Sequence, residues 1–424
     1  MGAPNSPKPS GTGCHVCGDA TGVREFLSLG VLPLGNAFIP TSEIPSEKEF
    51  PLAMGFCSRC HLVQIVEPAP VEAIQKVYRN YSYVPTGATL TQHYGALAEE
   101  IVRVVGPSPG SMFVDIGSND GLLLRSIRQR VPTAKVGGVE PSSRIAEIAR
   151  SQGVPTITGF FDRAAADELL ARFGSADVIS VTQVLQHIRD PVAFLELVRG
   201  AMRPEGVLVL EGRAYFPDVA ETVSFDTFYH ELLYCFTLHS LKFLLERAGF
   251  SAFHAERTDV YGGSLRVFAQ RREGGRRPVR DSVKAILAAE AEGGLTRFET
   301  YSAFGARVEA VRTELRRTVK ELTREGGTIA GYGAPSTGTT LLSFCGLGHD
   351  VIGYIVDDNP LKQGLVTPGT HVPITSVATL RARPPDYVLV IAWRLKDEIL
   401  SRLSPLRGRI KGVLVPLPTP ELVP

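Results

Sequence analysis

The sequence predicts an α/β protein, and three observations support this fold class. Apolar strands alternate with amphipathic helices between residues 112 and 270, and the same alternation returns from residue 327 to the end. This alternation is typical of parallel sheets that carry helices on both faces. Ahead of it, residues 14 to about 75 combine short strands and turns with four cysteines. We therefore expect a small cysteine-rich N-terminal domain, a central Rossmann-like domain and a C-terminal Rossmann-like α/β domain.

Short apolar runs between amphipathic segments are predicted as the strands of the two sheets. One long helical pattern, with Phe304, Val308 and Leu315 on a single face, lies between the two sets of strands. The predicted strands are Met112–Ile116, Val136–Val139, Val178–Val181 and Val207–Leu210 in the central domain, and Thr328–Tyr332, Val351–Val356, Tyr387–Ile391 and Gly412–Val415 in the C-terminal domain.

Changes in composition predict the domain boundaries. Residues 1–75 form the cysteine-rich domain, beginning with a flexible Pro/Ser/Gly-rich tail, residues 1–13. The central domain covers residues 76–272. Residues 273–424 contain a charged Gly/Arg/Pro-rich linker, residues 273–281, then long helices and the second α/β domain.

The charge balance excludes some classes of partner. The chain has 45 Lys+Arg and 44 Asp+Glu, a formal net charge of +1, whereas nucleic-acid-binding proteins usually carry a clear basic excess. No apolar segment is long enough to span a bilayer, and the first residues lack the apolar core of a secretory signal. We expect a cytoplasmic enzyme with a small-molecule substrate and no nucleic-acid or membrane partner, acting as a monomer or a weak homodimer.

Two Cys-x2-Cys motifs, Cys14/Cys17 and Cys57/Cys60, stand in the N-terminal domain. Each motif turns two thiolates toward one point, and two such motifs supply the four soft ligands of a tetrahedral zinc ion. A catalytic zinc keeps one position open, but four cysteines close the site. The predicted zinc is therefore structural and holds together a segment too small for a good core.

A glycine-containing turn follows the first strand of the central domain. Asp115 lies near the end of that strand, Gly117 and Gly121 flank the turn, and an apolar helix starts at Leu122. Glycine lets the backbone approach a ligand closely. The spacing is not the G-x-G-x-x-G pattern of dinucleotide-binding domains, which disfavours a dehydrogenase. An acidic strand end before such a turn suits an amino acid attached to adenosine, so the pattern indicates S-adenosylmethionine (SAM).

The next strands add contacts for this cofactor. Glu140 ends the second strand, where a carboxylate can accept hydrogen bonds from both ribose hydroxyls. Gln183 follows the third strand and is placed to touch the cofactor, and His187 is placed to face the reaction centre, although a lone histidine is usually structural. The candidate cofactor-binding residues are Asp115, Gly117, Asn119, Gly121, Glu140 and Gln183.

These residues belong to an ordered series of motifs that covers nearly the whole chain and resembles the sugar C-methyltransferases of bacterial deoxysugar pathways. That family has an N-terminal zinc domain, a central SAM domain and a C-terminal α/β domain. Its substrates are nucleotide-linked keto-sugars, notably dTDP-4-keto-6-deoxyhexoses. Besides the four cysteines, the matching segments are Leu34–Phe38, Gly117–Gly121, Phe228–Glu231, Gly331–Ala334, Asp357–Gly364 and Pro368–His371.

The resemblance implies methylation of carbon through an enolate, in the biosynthesis of a natural product such as an antibiotic. A base removes the proton beside the ketone, polar groups near the ketone oxygen stabilise the developing charge, and the protein aligns the enolate with the sulfonium methyl group. The residues that match family active-site positions are Tyr83, His187, Tyr229 and Glu231.

One departure from the family pattern concerns the base. The family usually has Tyr-His-Glu-His, with the second histidine as the proposed base, whereas residues 229–232 here read Tyr-His-Glu-Leu. Leucine cannot accept a proton. His187 or His230 could remove the proton instead, with Glu231 orienting it, or a weak base such as Tyr83 could suffice. We favour His187, because it follows a strand end of the cofactor domain and matches a family active-site position.

The missing base also leaves other reactions open. The methylated atom could be oxygen or nitrogen, or the acceptor could be a metabolite other than a sugar. Alternatively, SAM is bound without being consumed, and its positive charge assists a decarboxylation, rearrangement or epimerisation. Two further departures lie in the C-terminal domain, with Thr337 at a position that is usually basic and Trp393-Arg394 where the family often has Trp-Asn.

The carboxyl edge of the C-terminal sheet is the predicted substrate side. Two of its strands end there in polar or Gly-rich turns, and ligands bind at this edge in open α/β folds. In the family this domain helps to hold the nucleotide-sugar, and Lys362 and Gln363 suit phosphate or sugar oxygens. The candidate substrate-binding residues are Tyr332, Asp358, Asn359, Lys362 and Gln363.

Overall fold

The structure is a computed structural model, which describes residues 13–79 and 88–424. The chain folds into two compact units, and each unit is assembled from segments that are distant in the sequence. Unit one comprises the residues up to Pro70, Ala220–Leu233 and Arg297–Pro424, and unit two comprises Val71–Val219 and Tyr234–Thr296.

Unit one contains both the cysteine-rich segment and the C-terminal α/β segment. Aromatic side chains join the two. The Tyr301 ring stacks on Phe56 with ring centroids 4.3 Å apart and lies 5.5 Å from the Phe26 ring. Such pairs bury large apolar areas at a favourable geometry. This packing is long-range, so the local patterns that predicted the boundaries do not report it.

An antiparallel sheet forms the N-terminal part of unit one. Leu52, Met54 and Phe56 alternate along its second strand and are almost completely buried, as the two-residue period of a strand requires. The first strand pairs with the second, and the second with the third. These strands are β1 (Val23–Pro33), β2 (Glu49–Cys57) and β3 (Val63–Ile65).

A six-stranded sheet forms the C-terminal part of unit one, in the order β14-β13-β12-β15-β16-β17. Its strands are parallel except the last, which pairs antiparallel to its neighbour. The strand order reverses at β12, and a parallel sheet offers a ligand crevice beyond the carboxyl ends of the strands at such a point. The strands are β12 (Ile329–Tyr332), β13 (Ile352–Val356), β14 (Ile374–Thr375), β15 (Tyr387–Val390), β16 (Gly412–Val415) and β17 (Glu421–Val423). The helices are α10 (Phe298–Thr323), α11 (Ser336–Cys345), α12 (Ala378–Ala382) and α13 (Lys396–Leu403).

Unit two contains a seven-stranded sheet in the order β10-β11-β8-β7-β4-β5-β6. The first five strands in chain order run parallel, and the hairpin β10–β11 adds an antiparallel edge that the sequence analysis did not predict. The strand order reverses at β4, directly before the predicted glycine turn. The strands are β4 (Met112–Ile116), β5 (Lys135–Glu140), β6 (Thr156–Thr158), β7 (Ala176–Thr182), β8 (Met202–Arg213), β10 (Phe250–Thr258) and β11 (Ser264–Arg271), and the chain also forms the short β9 (Tyr234–Cys235).

Helices cover both faces of this sheet, so that β4 is buried along its whole length. Local signals set several helix starts. The Asp190 carboxylate accepts a hydrogen bond from the Ala193 amide at 3.1 Å, with Pro191 in the first helical turn. The helices are α1 (Val71–Arg79), α2 (Ala88–Val105), α3 (Leu122–Arg130), α4 (Ser143–Ser151), α5 (Arg163–Phe173), α6 (Pro191–Ala201), α7 (Phe216–Glu221), α8 (Leu238–Arg247) and α9 (Asp281–Glu292).

Within the described ranges, none of the helices combines the length and the apolar character that crossing a bilayer requires.

Candidate functional site

The four cysteines of the two Cys-x2-Cys motifs meet in unit one. All four are buried, and their sulfur atoms lie within 4.8 Å of one another. The Cys14 and Cys60 sulfurs are 3.4 Å apart, and those of Cys17 and Cys57 are 3.6 Å apart. Four zinc–sulfur bonds of about 2.3 Å place tetrahedral ligands about 3.8 Å from one another. The cluster therefore fits a structural zinc ion and leaves no position open for a substrate.

The predicted cofactor turn connects β4 to α3 in unit two. Gly117 and Gly121 have φ angles of +77° and +78°, a backbone region that favours glycine. A Cβ atom at Gly117 would lie 2.3 Å from Cγ2 of Val184. The amides of Gly117 and Ser118 donate to the Val139 carbonyl at 2.8 and 3.1 Å, which fastens the turn to β5. Both glycines are thus required by the backbone conformation.

Glu140 ends β5 and lies beside this turn. Its side chain is buried, and its two oxygens accept hydrogen bonds from the amides of Asn119 at 3.1 Å and Ser142 at 2.9 Å. Burial raises the pKa of Glu140, and the two amides act in the opposite direction. Each carboxylate oxygen can accept more than one hydrogen bond, so the group retains capacity for the hydroxyls of a ribose.

Asp115 is buried near the end of β4. Its Oδ1 accepts a hydrogen bond from the Ser180 hydroxyl of β7 at 2.6 Å. Burial raises the pKa of Asp115 to about 7, the Ser180 hydroxyl lowers it, and the negative charge of Glu140 raises it further. A cation placed beside this carboxyl group would favour its ionised form. The α-ammonium group of a methionine moiety is such a cation.

Gln183 and His187 follow β7 at the same edge of the sheet. Gln183 has a φ of +58°, its amide donates to the Glu211 carbonyl at 2.7 Å, and its Oε1 accepts from the Arg213 amide at 3.0 Å. Its Nε2 is buried without a hydrogen-bond partner among the residues that the structure describes. A buried amide of this kind indicates a missing acceptor. His187 lies in a short 3-10 turn, half-buried, and its amide donates to the Val184 carbonyl.

An ionised group in the next strand of unit two is absent from the site residues predicted from the sequence. Glu211 lies near the end of β8 with a side chain only 1% exposed, between His93 and Arg266. The sequence contains a signal for this residue, because the carboxylate of Glu211 interrupts an otherwise apolar strand pattern. Since buried carboxylates are rare without a partner, its position alone should have marked it as a candidate.

In unit one, two motifs that are distant in the sequence meet at Glu231. This carboxylate is buried and accepts hydrogen bonds from the amides of Asn36 at 3.0 Å and Gly35 at 3.3 Å, and from the Asn36 side chain at 3.3 Å. On the other side of the loop, the Thr339 hydroxyl donates to the Gly35 carbonyl at 3.0 Å. The contacts hold the Leu34–Phe38 motif in one conformation.

The neighbours of Glu231 are enclosed in unit one. Tyr229 and Leu232 are buried, and His230 is completely buried with Nε2 3.0 Å from the Phe50 carbonyl. Burial lowers the pKa of His230, so its ring is neutral and donates to that carbonyl. Tyr83, the remaining catalytic candidate from the sequence, lies outside the described residues.

The predicted substrate residues gather at the carboxyl edge of the C-terminal sheet. Lys362 donates from Nζ to the Ala334 carbonyl at 2.6 Å, and its ammonium lies 4.6 Å from the centre of the Phe38 ring. Burial lowers the pKa of Lys362, and the charge of Asp357 opposes this. Asp357 accepts from the amides of Ala334 at 2.7 Å and Asn359 at 2.8 Å. A cation, an aromatic ring and turn amides therefore adjoin one another at this edge.

The other substrate candidates occupy different environments. Gln363 donates to the Asp357 carbonyl at 3.0 Å, and Tyr332 is buried at the end of β12. Asp358 is exposed and pairs with Arg402 at 2.5 Å. Exposed pairs of this type contribute little. Asp357, directly after the strand, was the better candidate, because it shapes the turn through two backbone amides.

A buried carboxylate in unit one binds both Trp393 and Arg394, of which only Arg394 departs from the family's usual Trp-Asn pair. Asp226 is completely buried and accepts from Trp393 Nε1 at 3.0 Å and from two nitrogens of Arg394 at 2.8 and 3.1 Å. Arg394 also donates to the Thr227 hydroxyl at 2.7 Å. The planar guanidinium matches the carboxylate with two parallel bonds. Arg394 therefore neutralises a buried charge in this chain.

Replacing Asp226 with asparagine is expected to destabilise the protein by about 3 kcal/mol, because the amide keeps the shape but leaves Arg394 without its counter-ion. Urea denaturation, followed by circular dichroism, measures the loss. The matched control is Asp281→Asn, which removes an exposed partner of Lys284 and should change stability by less than about 0.5 kcal/mol. Equal stability of the two variants would contradict the assigned role.

The fold of unit two, with a glycine turn and a strand-end carboxylate at its switch point, defines the protein as a SAM-dependent methyltransferase. Three family models match the chain: "Putative zinc binding domain" over residues 14–74, "Methyltransferase domain" over residues 90–255 and "C-methyltransferase C-terminal domain" over residues 259–418. The chain is also 34% identical to C-methyltransferase NovU from Streptomyces niveus, over 97% of this chain and 96% of that protein. The chain therefore belongs to the sugar C-methyltransferase family that its motifs resemble, with SAM and a structural zinc ion as cofactors.

Solved structures add a weaker similarity. Magnesium protoporphyrin IX methyltransferase from Synechocystis PCC 6803 with bound SAH is 16% identical and matches 47% of this chain and 95% of that one, with a TM-score of 0.36. The mitomycin 7-O-methyltransferase MmcR is 18% identical and matches 44% of this chain and 55% of that one, with a TM-score of 0.34. Neither similarity bears on the substrate.

Proposed function

We propose that the protein methylates a carbon atom of a nucleotide-linked, dTDP-type keto-deoxysugar through an enolate, in natural-product biosynthesis. The observation that carries the proposal is the 34% identity to a C-methyltransferase along 97% of the chain. A ketone makes the neighbouring C–H proton removable, and the carbanion delocalises onto the ketone oxygen. Carbon is a nucleophile only after this deprotonation, so the enzyme must supply a base and stabilise the enolate.

Unit two supplies the cofactor contacts in this proposal. SAM provides a methyl group activated by the positive charge on sulfur. The glycine turn with Asn119 and Asp115 takes the methionine end, and the remaining lone pairs of Glu140 accept the ribose hydroxyls. Gln183 donates from its otherwise unsatisfied Nε2. Its backbone is held in place by hydrogen bonds to β8, so this donor is preorganised.

Unit one supplies the nucleotide-sugar contacts. Lys362 adjoins the Phe38 ring at 4.6 Å, and a diphosphate would restore the full charge that burial disfavours on this amine. Asn359, Gln363 and Tyr332 offer amide and hydroxyl groups for sugar or base oxygens, and Asp358 adds an acceptor at the exposed rim. Glu231, by holding Gly35 and Asn36, positions the loop that carries Phe38.

The surroundings of His187 and His230, the two histidines predicted from the sequence, indicate which of them is better suited to act as the base. His230 is poorly suited, because it is completely buried and its ring nitrogen already donates to the Phe50 carbonyl. His187 is half-buried at the carboxyl edge of unit two. We place His187 at the reacting carbonyl, either as the base or as the donor to the ketone oxygen. Tyr229 and Glu231 keep their assignments as active-site residues from the resemblance alone.

Leu232 supports a second candidate function. It is completely buried where the family usually carries its proposed base, and methylation of oxygen or nitrogen needs no carbon deprotonation. Under the same reasoning SAM could assist a decarboxylation, rearrangement or epimerisation without losing its methyl group. Retention of methyl label in the cofactor during turnover would identify this last class.

The experiment that tests the proposal uses methyl-labelled SAM, the zinc-replete protein and dTDP-4-keto-6-deoxyglucose in deuterated water. We expect label in the sugar on carbon, identified by carbon NMR, and solvent deuterium beside the ketone when S-adenosylhomocysteine replaces SAM. Label on a sugar oxygen would replace the proposal with the second candidate. Absence of both label transfer and exchange with dTDP-linked keto-sugars would disprove keto-sugar methylation.

His187→Asn is expected to lower kcat about 100-fold while the Kd for SAM changes less than threefold, because either role at the carbonyl acts mainly on the transition state. Steady-state kinetics and calorimetry measure the two quantities. His349→Asn, at an exposed histidine of unit one, is the control and should leave both unchanged. Unaltered turnover in His187→Asn would remove this residue from the reaction centre.

A further inference from the structure

A buried ion network lies beneath the carboxyl edge of unit two. The Glu211 side chain is 1% exposed, with Oε1 2.7 Å from His93 Nε2 and Oε2 2.7 Å from Arg266 Nε and 2.6 Å from its Nη2. Burial raises the pKa of Glu211, but His93 and Arg266 outweigh this and lower it. Glu211 is therefore ionised at neutral pH and holds one nitrogen of the His93 ring.

His93 occupies this position because it extends the inner face of helix α2. His93, Leu97 and Ile101 follow one another at four-residue spacing, and the latter two are fully buried in the core. On β8, Val207, Val209 and Glu211 share one face, of which the two valines belong to the same core. The histidine and the carboxylate thus form a polar layer that closes the apolar core at the edge where ligands bind.

This polar layer adjoins the cofactor residues of unit two. The Glu211 carbonyl accepts from the Gln183 amide at 2.7 Å. Tyr94, the residue after His93, is close enough to Asp115 and Glu211 for their charges to act on it. Its pKa is raised well above the usual value, first by burial, then by Tyr261, and then by those two carboxylates. His93 therefore lies at the same end of the sheet as the proposed methionine site.

The loop opposite Tyr94 is strained. Tyr261 hydrogen-bonds Tyr94 and has a φ of +56°, an unfavourable conformation for an aromatic residue. Gly263, two residues later, has a φ of +115°, and a Cβ there would lie 2.2 Å from Asp218. Strained backbone of this kind concentrates at functional sites. Tyr261 therefore places a strained residue against the side chain that follows His93 in the sequence.

We propose that His93 removes the proton from the carbon to be methylated, and that Glu211 is the positioning residue that orients its ring. This inference rests on the proposed function. It supplies a base for a chain that has Leu232 where the family usually has a histidine as its proposed base. With Nε2–H donating to Glu211, the ring nitrogen Nδ1 carries the lone pair. Among the residues that the structure describes, no group forms a hydrogen bond to Nδ1, and the side chain retains 12% exposure.

The substrate C–H bond breaks, its proton passes to Nδ1 of His93, and the electron pair enters the enolate. The enolate carbon then forms the new C–C bond to the methyl group as the S–C bond breaks, leaving neutral S-adenosylhomocysteine. The imidazolium that remains is stabilised by the Glu211 carboxylate at 2.7 Å and loses its proton to water. His187 then serves as the donor to the ketone oxygen.

A purely structural ion network is the competing explanation, since Arg266 alone would neutralise Glu211. The two explanations differ in the step that they affect. A structural role predicts parallel losses of stability, SAM binding and activity. A base predicts loss of deuterium exchange and methyl transfer, with SAM binding retained.

The test compares His93→Asn with His254→Asn, a control at another buried histidine of unit two that faces a carboxylate, Glu100, at 3.4 Å. The probe is dTDP-4-keto-6-deoxyglucose in deuterated water, with S-adenosylhomocysteine for exchange and SAM for methyl transfer. We expect His93→Asn to lose at least 100-fold in both rates, with the Kd for SAM within threefold of wild type. Glu211→Gln is expected to lose about tenfold, since it retains the ring partner without its charge.

Three results would overturn the inference. The first is a rate of deuterium exchange in His93→Asn within threefold of the wild-type rate. The second is loss of SAM binding in that variant. The third is a loss of exchange and methyl transfer in His254→Asn as large as that in His93→Asn. If the wild-type protein itself neither exchanges nor methylates the probe, the proposed function fails first, and the inference fails with it. If the wild-type protein is active and the His93→Asn variant is active as well, only the assignment of His93 as the base is refuted, and the proposed function stands.

Discussion

Cys57→Ser is expected to weaken zinc binding more than about 100-fold and to lower the thermal unfolding midpoint by more than 10 °C. The physical reason is that apparent binding free energies of structural zinc reach about 10 kcal/mol or more, and this energy stabilises the folded segment. Here all four sulfurs lie within 4.8 Å of one another, so loss of one ligand leaves an incomplete shell around the ion. Elemental analysis of the purified protein and scanning calorimetry measure the two effects.

Cys345→Ser is the matched control, because Cys345 is equally buried and lies outside the cluster. It should keep one zinc ion per chain, with only the modest cost of burying a hydroxyl. Removal of zinc from the wild-type protein by a chelator should reproduce the Cys57→Ser midpoint. A Cys57→Ser protein with full zinc content and an unchanged midpoint would show that this cysteine is not a ligand.

Glu140→Ala is expected to weaken SAM binding about 100-fold. Hydrogen bonds to a charged group contribute about 1.5 kcal/mol each, so the loss of two bonds to the ribose corresponds to about 3 kcal/mol. The substitution also frees the Asn119 and Ser142 amides, which now donate to Glu140 at 3.1 and 2.9 Å. Titration calorimetry with SAM measures the affinity directly.

Two further variants separate these effects. Glu140→Gln keeps one acceptor oxygen for the turn and is expected to lose about tenfold in affinity. Glu147→Ala, at an exposed residue of α4 that pairs with Arg150, should bind SAM as the wild type does. Binding by Glu140→Ala within threefold of the wild type would mean that the cofactor does not rest on this strand end.

The parallel sheets could be predicted closely from the sequence. The strands Met112–Ile116 and Gly412–Val415 have the predicted ends, because buried parallel strands are continuous apolar runs between clear breakers. The hairpin β10–β11 was missed. Only a short 3-10 turn, Val260–Gly262, separates its two strands, and charged residues such as Arg266 interrupt its apolar pattern. A rule that expects a helix between successive strands therefore does not predict this hairpin.

The residues of the candidate site also fall into two groups, those that the sequence predicted and those that it did not. Cysteine spacing, the glycine turn and the strand-end Glu140 are local features, so they could be recognised in the chain itself. Asp357 and Glu211 each carry a local signal, a carboxylate at or near the end of an apolar strand, but the groups that they bind cannot be read from that local pattern. Asp357 is adjacent to the residue that was chosen, whereas the His93 partner of Glu211 is 118 residues away.

The sequence by itself determined the fold class, the four-cysteine cluster and the glycine turn after β4, since these depend on spacing and hydrophobic period over a few residues. Only the tertiary structure decided that Glu231 holds the loop at Gly35 and Asn36, and that Glu211 holds His93. The physical reason is that a buried charge must be satisfied by whichever groups packing brings to it. Those groups come from helices and loops that are remote in sequence, and their meeting follows from how the apolar faces pack.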